Sequence, residues 1–430
     1  STTPCTPRRP GVGGAVALCA VLSLASIAFG QSAGGGPSGA GGAGGGPSGA
    51  AGGAPGAAAP SEPVQTDAPP GDPMKPYFDR KKEIEEKYGT KVGLNVDLTM
   101  QQSLGGPDFV NRSVARYDFG INQRLWTGAV ADLVVRGGWG DGPDAAPDLL
   151  NTVNTNQYAR TGSDAFILHL WLQQKLFDDQ LTLRAGKMDL GDWMDTNRYG
   201  FYNFVGYSFA HNSSIPLPGN PLAAMFTFEP KDAPWFYVSA GAANAAQSSY
   251  RAGFEELFDG PTALFTLAEV GFRTDFDGRK GTYRFEGWYD GRDLSSIDGS
   301  DADDDGRAGF AVSFDQEIAK DVGVFFRYGR GDQNEFTPKE YWSFGVDFIG
   351  PVPGRPRDDL AIGYVLNRFS DERDDVVPNA SGNEGYLELY YNYWVSDAMQ
   401  IQPIVQVVTN PGGVSRSTEV LVGLHVALRF

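Results

Sequence analysis

The feature that most restricts this chain of 430 residues is an alternation of apolar and polar residues that begins near Val92 and recurs to the last residue. Val92, Leu94, Val96, Leu98 and Met100 alternate with Gly93, Asn95, Asp97, Thr99 and Gln101. Ala115, Tyr117, Phe119 and Ile121 then alternate with Arg116, Asp118, Gly120 and Asn122. A period of two sends successive side chains to opposite faces of a strand, so each segment has one apolar face and one polar or charged face. A globular sandwich seldom holds polar faces this charged over so many strands. After Gly30 no stretch gives the roughly twenty consecutive apolar residues of a spanning helix, so entry into a membrane requires a closed barrel.

The same alternation predicts strands at 92–101, 115–122, 127–139, 164–176, 180–188, 222–229, 235–241 and 264–273. It continues at 281–290, 307–316, 322–329, 341–348, 359–366, 384–395, 400–408 and 419–430. The predicted fold class is therefore all-β, a transmembrane antiparallel barrel of about sixteen strands. The connections carry independent information, because such barrels have short periplasmic turns and longer external loops. Short links fall at 125–126, 177–179, 319–321 and 396–398, and long ones at 140–163, 189–221, 243–262, 291–306 and 367–383. Outward aromatic residues such as Phe272, Phe285, Tyr289, Trp342, Phe344, Phe348, Tyr391 and Tyr393 suit lipid contact and the girdles at its edges.

Ahead of the barrel the chain changes character. Residues 1–30 read as a secretory signal, with Arg8 and Arg9 before an apolar run at 12–28 and the small-residue site Ala28-Phe29-Gly30. Both cysteines, Cys5 and Cys19, lie in that segment, so a chain beginning at Gln31 has no thiol to report on its redox compartment. Residues 31–75 are a Gly, Ala, Pro and Ser tract that buries too little to offset its ordering entropy, which predicts a disordered periplasmic linker. A short charged helix is expected at 76–90, and the barrel domain at 91–430. The net charge of −18 argues against nucleic acid as a partner, since phosphate binding wants clustered Lys and Arg.

In the last segment Val420, Val422, Leu424, Val426, Leu428 and the terminal Phe430 form one apolar face. A chain ending on an aromatic after such alternation resembles the C-terminal signal read by the outer-membrane barrel assembly machinery. Several segments resemble the carbohydrate-selective, OprB-like porin family. They are the charged helix running into the first strand (80–106), the run LTLRAGKMDLGDWMDTNRYGFYNF at 181–204, and the Pro-rich 215–221. Near the end come 384–394, Ile401-Gln402-Pro403 and Asn410-Pro411-Gly412-Gly413. That resemblance implies an outer-membrane porin of sixteen strands, constricted by an inward-folded external loop, passing small sugars by passive diffusion without a cofactor, often as a homotrimer. A general or weakly ion-selective porin is the alternative.

Taking polar faces as inward puts Arg116, Arg124, Arg136, Arg184, Arg273, Arg284 and Arg327 in the lumen with Asp97, Asp118, Asp132, Glu269, Glu286, Asp315, Asp347 and Glu388. This near balance suits neutral polar solutes better than ions of one sign. Sugars need hydrogen-bonding groups and a ring face, so the candidate pore-lining and binding set is Arg116, Asp118, Arg136, Trp171, Arg184, Asp192, Trp193, Asp195, Arg198, Glu286 and Trp288. The constriction is expected in the long loop 189–221. Asp301, Asp303 and Asp305 begin a calcium-loop pattern, but its twelfth position is Val312 rather than Glu, so a solvated acidic loop is the preferred reading. Only His169, His211 and His425 exist, and none pairs with a Ser by spacing, so enzyme function is not expected. Replacing Phe430 by a charged residue should leave the chain exported but poorly inserted, with the heat-modifiable folded band in membrane fractions strongly reduced.

Overall fold

A computed structural model describes residues 74–104, 110–143, 153, 155–159, 165–200, 203–246, 263–292, 306–332 and 338–430. A helix, α1 (Lys75–Tyr88), runs into the first strand. It buries none of its side chains, carries an exposed Lys75–Asp79 pair and stops at Gly89 in the left-handed region.

Sixteen antiparallel strands follow: β1 (Thr90–Ser103), β2 (Asn111–Trp126), β3 (Ala129–Trp139), β4 (Phe166–Leu176), β5 (Leu181–Lys187), β6 (Leu222–Phe228), β7 (Phe236–Asn244) and β8 (Leu264–Phe276). The second half is β9 (Arg279–Asp290), β10 (Arg307–Ala319), β11 (Val322–Gly331), β12 (Glu340–Ile349), β13 (Asp359–Arg368), β14 (Asn383–Ser396), β15 (Met399–Thr409) and β16 (Glu419–Arg429). Each pairs with its neighbours in sequence, and β1 pairs with β16, which closes the barrel. The closing register sets Asp97 opposite Ala427 and Thr99 opposite His425. Phe430 completes it, since its N–H and C=O both bond Leu94, at 2.8 and 2.9 Å. Closure leaves no strand edge to hydrogen-bond with lipid, which cannot do so.

Every strand expected from the alternation is present, with small shifts at the ends. The first hairpin turn lies at Thr127–Gly128 rather than 125–126, because β2 continues through an irregularity between Arg124 and Trp126. A positive φ at Gly128 makes the reversal there.

The lumen is not an empty tube. The connection from β5 to β6 turns inward at a neck where Met188 N–H donates to Pro221 C=O at 3.0 Å and Lys187 Nζ to Asn220 C=O at 2.7 Å. From there it follows the inner wall past β8, β10, β11, β13 and β14. Inward glycines make room for it: a Cβ at Gly323 would lie 2.1 Å from the Tyr199 ring, and one at Gly363 would lie 2.6 Å from Phe209. Phe204 and Phe209 stack on each other at 4.0 Å between centroids and meet Phe325, Tyr386 and Tyr390.

A second segment enters the barrel from the connection between β3 and β4, where the sequence suggests only an external loop. Thr155 C=O accepts from Gln101 at 3.1 Å and Gln406 at 2.9 Å, and Tyr158 stacks on His425 at 4.3 Å. The two segments also meet each other: Gln157 N–H donates to Val205 C=O at 2.9 Å, and Ser208 Oγ to Val153 C=O at 2.8 Å.

One carboxylate holds the larger segment's far end. Glu388 on β14 accepts from the backbone N–H groups of Val205 at 2.6 Å and Gly206 at 2.9 Å, from Gln406 at 3.0 Å, and from the Tyr386 hydroxyl. Replacing Glu388 by Ala should weaken this anchorage by about 3 kcal/mol, the scale of two charge-assisted hydrogen bonds. Single-channel conductance should rise and become noisier while the heat-modifiable barrel persists.

Candidate functional site

The predicted lumen residues separate into three groups on the inner wall. On β1–β3 and β16, Asp97 accepts from Arg429 at 2.8 Å and His425 at 3.1 Å, with Arg116 at 3.6 Å. Next to it Asp118 takes both arms of Arg136, at 2.6 and 2.8 Å. This fork fixes the plane of the Arg136 guanidinium against Asp118. The structure therefore brings Arg116, Asp118 and Arg136 together, but with different exposure. Arg116 is covered by Tyr158, whose ring centroid lies 4.5 Å away, and donates to Gln157 C=O at 3.1 Å. Arg136 keeps 19% of its side chain exposed.

On β4 and β5, Trp171 meets Trp193 edge-on at 5.7 Å between centroids, and the Arg184 guanidinium lies 5.0 Å from the Trp193 ring. Met188, Leu190, Met225, Phe265, Leu267 and Trp288 complete one apolar cluster. Three tryptophans selected from the sequence are thus gathered in one place. Trp193 is only 4% exposed, so, against the expectation that it lines the pore, it packs the inserted segment against the wall.

The third group anchors the segment's middle. Asp195 accepts from Arg327 and from Asn212 N–H at 3.0 Å, and its own N–H donates to Glu269 at 2.8 Å. Arg327 also donates to the carbonyls of Asp195 and Phe209, both at 2.8 Å. Arg198 N–H donates to Asp315 at 3.2 Å, and Asp315 also receives Arg284 at 2.8 Å. The Arg198 side chain keeps partial exposure. Asp192 pairs with His169 at 3.2 Å near the neck. There burial, and then the nearby Asp192, pushes the Asp189 carboxyl up to about 7, while burial pushes His211 down to about 4. Both shifts favour the neutral forms, so the neck gathers polar groups without the full repulsion of its carboxylates.

Glu286 also occupies an inward position. It is buried on β9, opposite Glu269 in register and two residues from Trp288. Among the described residues no group of three or more His, Cys, Asp or Glu is placed to hold a metal ion; Asp301, Asp303 and Asp305 lie outside them.

Sequence reasoning did not select the anchoring role of Glu388, Glu269 and Arg327, nor the entry of Gln157 and Tyr158. One signal for the anchors was present. Gly323, Gly329 and Gly363 occupy inward positions of β11 and β13, where their missing side chains leave room for Tyr199, Asn212, Ser214 and Phe209 of the inserted segment.

Residues 151–430 match the family described as carbohydrate-selective porin, OprB family. A similar relative is Porin B of Pseudomonas aeruginosa, 24% identical over 313 residues that span 61% of this chain and 68% of that one. Among solved structures, the high-pH structure of Pseudomonas putida OprB superposes with a TM-score of 0.72 at 18% identity, covering 82% of this chain and 97% of that one. OmpF of Salmonella typhi shares the fold more loosely, with a TM-score of 0.53 at 11% identity and coverage of 79% and 97%. By a family match that takes in β4–β16 together with the inserted loop, this chain belongs to the carbohydrate-selective porins of the OprB family.

Proposed function

We propose that this outer-membrane porin passes small neutral carbohydrates by passive diffusion through the lumen that its two inserted segments leave open. The observation that carries this reading is the unequal exposure of its charges. Arg136, Arg184 and Arg198 keep partial exposure, while Asp118 and Asp315, which lie against Arg136 and the Arg198 backbone, are buried. A passing hydroxyl meets fixed donors, yet the acidic groups behind them prevent a strong field of one sign that would select ions. Arg184 adds a donor whose guanidinium is backed by the Trp193 ring, and the buried Trp171–Trp193 pair fixes that part of the inserted segment against the wall.

The rest of the chain is assigned on sequence grounds. Residues 1–30 serve as the export signal and 31–75 as the periplasmic linker, Phe430 engages the barrel assembly machinery, and the family resemblance adds assembly as a homotrimer in outer-membrane lipid.

In liposomes the protein should admit glucose faster than ions of similar size. Substituting Arg184 or Arg198 by Ala should weaken sugar block of the channel about three- to tenfold, the scale of one or two hydrogen bonds. Trp193→Ala should act in the same direction, and shortening 196–214 should raise conductance more than any single substitution. Glucose entry no faster than that of ions, together with unchanged conductance after the loop is shortened, would refute the carbohydrate reading and the constriction at once.

A further inference from the structure

The outer wall carries a second polar feature that transport does not use. Outward positions of the described strands are almost all apolar or aromatic. Charge occurs there at Lys187, which is fully buried, at Arg279 by the periplasmic turn, and in one row at the extracellular end of β11–β13. That row sets Phe310, Arg330, Glu340 and Arg368 side by side across four strands. The row beneath it holds Val312, Tyr328, Trp342 and Leu366. Tyr328 and Trp342 rings pack at 4.3 Å, with Phe310 at 5.9 Å from Tyr328, so the charges lie just above an aromatic girdle.

We propose that Arg330 and Arg368, in the same row as Phe310 and above Tyr328 and Trp342, bind the phosphate groups of a phosphorylated glycolipid in the outer leaflet. The inference rests on the outer-membrane reading for its orientation. Two guanidiniums share one carboxylate here: Glu340 lies 2.8 Å from Arg330 and 3.6 Å from Arg368. Their side chains are 51% and 60% exposed, against 16% for Glu340. The row thus has an excess of positive charge with unoccupied donors, in a chain whose net charge is −18.

Planar guanidinium matches phosphate in a two-pronged geometry, and at the lipid–water boundary the pairing is screened less than in bulk water. The acidic turn Asp371–Val376 leaves the same rim, but Arg373 ties it to the Gly412 carbonyl of the β15–β16 connection. A lipid is the occupant favoured by position, because the row faces outward, away from the lumen where a soluble anion would pass. The exposed Phe310 and the girdle below it offer an apolar seat for the same molecule's acyl chains.

The test uses the full chain purified in detergent and titrated with lipid A, with dephosphorylated lipid A and with inorganic phosphate. Bound lipid is counted by native mass spectrometry. Lipid A should bind, and the other two probes should bind at least about tenfold more weakly, because only lipid A offers phosphate and acyl chains together. Arg330→Gln with Arg368→Gln should reduce lipid A binding by a similar factor while leaving glucose entry into liposomes unchanged, since neither residue lines the pore. Glu340→Gln, which removes the shared carboxylate, should strengthen binding, and it serves as the readout if the double variant folds poorly. Equal binding of dephosphorylated lipid A, full binding of inorganic phosphate alone, undiminished binding by the double variant, or a Glu340→Gln variant that binds no better would each overturn the proposal. Glucose entry in the unaltered protein reports separately on the transport reading.

Discussion

Everything in this protein depends on the ladder that joins β1 to β16. A strand surrounded by hydrocarbon cannot leave backbone N–H and C=O groups unpaired, because no solvent is present to accept or donate. The pairing of 95–103 with 421–429, extended by both polar backbone groups of Phe430, removes the last two edges. Once the ring is closed, strand periodicity becomes a division of the molecule. Alternate side chains meet lipid, and the others meet a shared interior that has to satisfy its own polar groups.

The inserted segments solve that second problem. A lumen wall lined by Asp97, Asp315, Glu269 and Glu388 is costly if those carboxylates are merely enclosed. Guanidiniums answer some of them, as Arg429 does Asp97 and Arg284 does Asp315. Loop backbone answers others, through the N–H groups of Asp195, Val205 and Gly206. The same bonds that stabilise the wall therefore hold the constriction in place, so pore geometry and barrel stability are coupled. Aromatic packing of Phe204 and Phe209 into space left by Gly363 adds a non-directional contribution.

The proposed transport reading turns on which inward charges remain uncovered. Arg116 and Arg136 look equivalent on the inner face of neighbouring strands, yet Tyr158 covers the first and leaves the second accessible. In the proposed reading, permeating sugars would meet Arg136, Arg184 and Arg198, with the buried acids Asp118 and Asp315 behind those donors. The outer wall shows a parallel division, with the charged row Arg330, Glu340 and Arg368 standing above the aromatic rings of Tyr328 and Trp342.

Strand number and strand faces were legible in the amino-acid sequence, because alternation is a local property with a period of two and survives without knowledge of distant contacts. Val92–Met100 and Val420–Phe430 each declare their lipid face unaided. The candidate lumen residues on strands followed from the same rule, and Arg116, Asp118, Arg136, Trp171, Arg184, Glu286 and Trp288 all occupy inward positions. What the sequence did not disclose is which inward charges are covered and by what. Asp97 and Arg429 are 332 positions apart, and Val205 and Glu388 are 183 apart, so their pairing exists only after the ring has closed. The entry of 155–159 into the barrel has the same origin, since no local pattern marks a loop that is held by Gln101, Gln406 and His425 on distant strands. Local periodicity determined the wall, and the path of the loops across it was decided by long-range hydrogen bonds and packing that only a closed barrel brings within reach.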